Sequence, residues 1–157
     1  MPTFVRVYTG DDGKSHIEDI DPPFEPFVDT EGAHGDGTPM ENATGITIRR
    51  GAPGYFLDYH CAPRRQYTIT LSGEVEIGTG DGTVRRCGPG TVLLAEDLTG
   101  QGHTTRVVSE EPRLFVVEPL ADKLPGLLAP AAQRWMAMSY RSKVPIFSRV
   151  PLPITRR

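Results

Sequence analysis

The chain has 157 residues, 38% hydrophobic and 24% charged, with a formal net charge of −3. That length suits one domain with a real core, and that composition excludes a disordered chain. The negative balance excludes a general nucleic-acid binder, and no apolar run is long enough to span a bilayer.

The start, Met1 to Gly10, lacks the charged beginning and apolar centre of a signal peptide, so the expected location is the cytoplasm. Cys61 and Cys87 are accordingly expected as free thiols. Two β-like runs come first, Thr3–Tyr8 and His16–Ile20. Asp21 to Asn42 is rich in Pro, Gly and acids and reads as a long loop. Eight more short β-like runs follow: Ile46–Arg50, Tyr55–His60, Gln66–Leu71, Glu74–Ile77, Thr83–Cys87, Thr91–Glu96, His103–Val108 and Arg113–Glu118. Turn chemistry separates them, as in Gly51-Ala52-Pro53-Gly54 and Gly88-Pro89-Gly90. Asp81-Gly82 between two alternating runs is a hairpin signal. Many short strands at close spacing predict an all-β sandwich or barrel.

The last part differs. Pro130 can open a helix, and Ala132, Trp135, Met136 and Met138 follow at a rough helical period. Beyond Lys143, three prolines between Val144 and Pro153 predict an extended arm. Charge changes sign along the chain. Residues 1–50 carry ten acids and four bases, whereas residues 121–157 carry one acid and seven bases. The basic tail is expected to lie on the acidic part of its own chain or of a second subunit.

The chemistry-bearing residues cluster between Tyr59 and His103. The glycines Gly54, Gly73, Gly88, Gly90, Gly100 and Gly102 punctuate this stretch, and His60 and His103 sit near strand ends. Gly54, His60 and Gly73 with Gly88-Pro89-Gly90 and Gly100-Gln101-Gly102-His103 resemble the two motifs of the cupin superfamily. The resemblance covers residues 51–120. It implies a double-stranded β-helix, or jelly-roll, barrel with its core at about 45–120 in a single domain, 1–157. The strands of 1–44 would precede it, and a short helix and extended arm over 121–157 would follow.

The resemblance also implies a metal shell of three His and one Glu. Here the second His position is Ala62 and the Glu position is Gln66. The remaining shell is His60, Gln66 and His103, with Asp58 as a replacement anion if it shares the face of His60. The cofactor expectation is none, or one weakly held Fe, Mn, Ni or Zn ion. Alternation puts Phe56, Asp58 and His60 on one face, Gln66, Thr68 and Thr70 on another, and His103 with Thr105. His60 and His103 are the expected catalytic residues, and Asp58, Arg64, Gln66, Thr68, Thr70 and Thr105 the expected substrate contacts. Arg64, Arg65 and Arg106 near the mouth can clamp a carboxylate or phosphate, or pair with Glu96 and Asp97 instead. Cys61 alternates away from His60, so no Cys–His nucleophile is expected. The apolar opposite faces, with Tyr55, Leu57 and Tyr59 and with Tyr67, Ile69 and Leu71, predict a cover and lead to a homodimer.

Three function classes follow. The preferred one is a small-molecule enzyme of isomerase, epimerase or dehydratase type, acting by acid–base catalysis on a small oxygenated or carboxylate-bearing metabolite. The second is a metal-dependent dioxygenase or lyase. The third is a metabolite-binding module without turnover. No nucleic-acid or membrane partner is expected.

Overall fold

Ten of the twelve strands among the described residues build two facing sheets, and the chain crosses repeatedly between them. A computed structural model describes residues 3–121. In chain order the strands are β1 (Thr3–Thr9), β2 (Ser15–Asp19), β3 (Glu25–Val28), β4 (His34–Gly37), β5 (Thr47–Gly51), β6 (Phe56–His60), β7 (Gln66–Ser72), β8 (Val75–Gly78), β9 (Val84–Cys87), β10 (Thr91–Glu96), β11 (His103–Val107) and β12 (Arg113–Pro119). One sheet has the order β2-β1-β10-β7-β12-β5 and the facing sheet β6-β11-β8-β9. From β5 onward the order β5-β12-β7-β10 against β6-β11-β8-β9 is the jelly roll, the double-stranded β-helix implied by the resemblance.

The strands form where alternation and turn chemistry agree. Asp81 holds the β8–β9 turn by accepting from the Thr79 hydroxyl (2.7 Å) and the Thr83 N–H (2.9 Å). These bonds, Thr79 first, lower its carboxyl to about 2. Gly73, between β7 and β8, has φ +71°, and a Cβ there would lie 2.7 Å from Cα of Arg113. Only glycine accommodates both the left-handed backbone and that approach.

β1 runs parallel to β10, in register from Thr3↔Thr91 to Tyr8↔Glu96, and β2 pairs outside it. The N-terminal hairpin thereby covers an edge that would otherwise expose unpaired backbone groups. Val5 and Val7 are fully buried and join Val75, Ile77, Cys87, Leu93 and Ala95 in the core. Burial of each such valine contributes roughly 1.5–3 kcal/mol. Cys61 is half-buried and Cys87 buried, and both are free thiols.

The region expected as loop, Asp21 to Asn42, contains a separate antiparallel hairpin, β3–β4. Pro26 is tolerated because a two-stranded ribbon has only edges. The Asp29 carboxylate builds its turn by accepting from the N–H groups of Glu31 (3.1 Å) and Ala33 (2.8 Å). Proline and glycine density hid this ribbon from a pattern reading. The helix and arm expected over 121–157 lie, apart from Ala121, outside the described residues. Among the described residues no helix is long and apolar enough to cross a membrane.

Candidate functional site

The barrel interior divides in two. Between β1–β10 and β8–β9 it is filled by the apolar core. Between β5–β12–β7 and β6–β11 a cavity of about 160 Å³ remains, lined by both apolar and polar side chains.

His60 ends β6 and His103 begins β11, and the two are Cα partners across the pair. Their rings lie 4.4 Å apart, centroid to centroid, at 54°. The approach depends on Gly102, with φ +79°, where a Cβ would fall 2.3 Å from the carbonyl carbon and oxygen of His60. No other residue fits there.

Each ring is oriented through Nδ1. His60 Nδ1–H donates to the Asp58 carbonyl oxygen (2.8 Å), which can only accept. His103 Nδ1–H donates to Asp97 Oδ2 (2.6 Å). Both assignments follow from the acceptors and leave Nε2 on each ring for a ligand. Asp97 is fully buried, and its Oδ2 also accepts from the Ser15 hydroxyl (2.8 Å). Asp97 Oδ1 and the Thr68 hydroxyl are buried without a hydrogen-bond partner among the described residues. Thr68 lines the cavity, so its hydroxyl is an unspent polar contact there.

Of the expected site residues, His60, Gln66, Thr68, His103 and Thr105 line this cavity together. Thr70 is buried behind it, bonded to Arg113. Two of the expected residues lie outside the lining. Asp58 is exposed and does not share the face of His60, because β6 carries an irregularity. The register moves from His103↔His60 to Thr105↔Leu57, so three steps on β6 oppose two on β11. That bulge reverses parity, and Leu57 and Tyr55 line the cavity in place of Asp58 and Phe56. Arg64 is likewise exposed and outside the lining. Of its neighbours, Arg65 pairs with Glu41 and Glu96, and Arg106 stacks over the Phe56 ring. Asp97, weighed as an arginine partner, instead pairs with His103.

The alternation reading also missed Ser15, Arg49 and Arg113. Arg113 had a legible signal, since it precedes Phe115 and Val117 at the inward period of β12. It is 4% exposed. Its Nε and Nη2 donate to the Thr70 hydroxyl oxygen (3.2 and 2.8 Å), and its guanidinium lies 4.1 Å from the Phe115 ring centroid. Burial pulls its pKa down to about 10. Arg49 is the Cα partner of Phe115 on β5. The lining thus holds two arginines and two histidines, and no acid.

The cupin resemblance implies a metal, and His60, Gln66 and His103 are the residues to test. They do not fit a tightly held divalent cation. Gln66 is a neutral donor, the lining holds no acid, the Asp97 carboxylate stands behind His103 on its Nδ1 side, and the same lining carries two guanidinium groups. Among the described residues no three His, Cys, Asp or Glu side chains converge as a shell.

No family model matches the sequence, and no curated protein does. Solved structures of similar fold include a cupin domain from Bordetella pertussis Tohama I, at 16% identity over 64% of this chain and 96% of that one, TM-score 0.41. The polyketide cyclase RemF from Streptomyces resistomycificus is similar at 15% identity over 85% and 88%, TM-score 0.43. The epimerase RmlC from Legionella pneumophila Philadelphia 1 is similar at 11% identity over 77% and 74%, TM-score 0.41. These likenesses do not bear on chemistry, and the fold follows from the strand order itself.

Proposed function

We propose that the barrel is a small-molecule enzyme that moves a proton on a small oxygenated metabolite, as an isomerase, epimerase or dehydratase does, with two imidazoles as acid and base. The observation that carries this reading is the Ser15–Asp97–His103 chain of hydrogen bonds ending beside His60 at a part-open cavity. Asp97 orients the His103 ring and stabilises positive charge on it when its Nε2 accepts a proton. In the simplest cycle His103 Nε2 takes a proton from a carbon next to a carbonyl. A protonated His60 then delivers one to the opposite face of the same carbon, to the neighbouring carbon or to a departing hydroxyl, and exchange with solvent resets the two imidazoles. The Thr68 hydroxyl and the Gln66 amide, both in the cavity lining, would hydrogen-bond the oxygen on which charge develops. A cavity of about 160 Å³ lies below the usual ~300–1,000 Å³ of ligand sites, which supports a substrate of few heavy atoms.

The test is deuterium wash-in. Small oxo and hydroxy acids and their neutral analogues are screened for those that raise the melting temperature, then incubated with the protein in D2O. Exchange of a carbon-bound proton by the native chain, lost in folded His103→Gln, is the expected result. Ligands that stabilise the protein but never exchange or turn over would make it a binding module and end the enzymatic reading.

A further inference from the structure

One buried charge in the cavity has no part in proton transfer. Arg113 is almost wholly enclosed, yet among the described residues no carboxylate lies within ion-pair distance of it. Its observed contacts are the neutral Thr70 hydroxyl and the face of Phe115. A guanidinium taken out of water without an anion is costly, and a neutral hydroxyl and a ring compensate it only in part. Arg49 stands opposite Phe115 on the neighbouring strand and lines the same cavity, adding a second positive charge.

The two kinds of polar group occupy different ends of the barrel. Gln66 pairs with Ala95 at the end where the Ala62 N–H donates to the Asp97 carbonyl, close to the imidazoles. Thr70, bonded to Arg113, lies four residues further along β7, about 13 Å of strand. Between them the lining includes Leu57, Leu93 and Val117, with Thr68 on the same rung as Leu93 and Val117 and Thr105 opposite Leu57. Cation at one end, imidazoles at the other, and three apolar side chains with two hydroxyls between them: that order matches a carboxylate on a short, oxygenated carbon chain.

We infer that the cavity binds a small carboxylate, held by the Arg113 guanidinium with Arg49 beside it, so that the chain of the ligand reaches toward His60 and His103. The inference rests on reading this cavity as the ligand site, and not on whether the ligand is turned over. The acid-free lining favours an anion over a sugar or an amine. The apolar side chains between the two ends favour a carboxylate over inorganic phosphate, which would need donors on every side.

The probe is sodium propionate, with propionamide as its neutral counterpart and inorganic phosphate as the competing anion. Each is titrated into the native protein while the Arg113 Nε–H resonance is followed by NMR, its assignment fixed by its loss in Arg113→Lys. Propionate is expected to shift that signal saturably, propionamide to leave it unmoved at the same concentrations, and Arg113→Gln to bind propionate at least tenfold more weakly. Equal shifts from propionate and propionamide, or no shift from propionate, would overturn the inference, and the native spectrum decides this even if Arg113→Gln does not fold. Phosphate that binds more tightly than propionate would overturn the carboxylate class. A protein that binds propionate at Arg113 but never exchanges deuterium loses the enzymatic reading and keeps this one.

Discussion

Asp97 is the residue whose role is hardest to read from sequence. It follows Glu96 at a strand end, where two adjacent acids look like surface partners for arginine. Glu96 is such a partner, of Arg6 and Arg65, while Asp97 turns inward to His103 across a six-residue separation. Nothing local in the chain separates the two roles, because strand parity at a strand end is set by the fold around it. His60, Gln66 and His103 were legible because glycines at close approaches frame them. Truncating the buried His103 ring leaves a cavity and takes one of two hydrogen bonds from the Asp97 carboxylate. His103→Ala is therefore expected to lower unfolding free energy by about 3–5 kcal/mol, measured by urea denaturation. Ser15→Ala leaves Asp97 paired with His103 and removes one bond to a charged acceptor, so a smaller loss of about 1.5–3 kcal/mol is expected in the same assay.

Strand alternation worked where the ladder is regular. β7 turns Gln66 and Thr68 into the cavity, and β12 turns Phe115 and Val117 inward, as a period of two requires. It failed on β6, where one extra residue shifts Leu57 into the place expected for Asp58. A bulge adds no composition signal, so counting residues from His60 carries the error down the strand. The bulged strand is held against β11 by the close contact at Gly102. Gly102→Ala adds a residue that resists positive φ, a cost of roughly 1–2 kcal/mol, and a Cβ that collides with the His60 carbonyl. The expected outcome is a loss of stability above that figure and a weakened NOE between the His60 and His103 rings. A variant of native stability with the ring contact intact would show that the two backbones can separate at no cost.

Across the whole described molecule, the eight-strand barrel was legible from its turns, and the N-terminal addition was legible as strands but not as part of the site. Periodicity gives no partner for a strand, and β1 finds its partner 88 positions away, at Thr3↔Thr91. An ion-pair network joins this addition to the barrel: Arg6 bridges Glu18 and Glu96, and Glu96 also accepts from Arg65, which reaches Glu41. Burial works against the Glu96 charge, but Arg65 and Arg6 outweigh it and lower its pKa. A carboxyl with a lowered folded pKa stabilises the fold above its ordinary range and loses that contribution as pH falls through the folded value. The urea midpoint is thus expected to fall on acidification below about pH 4.5, and Glu96→Gln to reduce the part of that fall specific to this site.

The Ser15 hydroxyl comes from β2, outside the eight-strand barrel, yet it touches the carboxylate that orients a barrel imidazole. Amputating residues 1–20 would therefore take more than a decoration. The shortened polypeptide would retain both rings while water entered beside Asp97 and replaced its hydroxyl partner. The same cut would take Val5 and Val7 out of the core, so the loss would reach the packing of the barrel as well as the stiffness that aims the His103 ring.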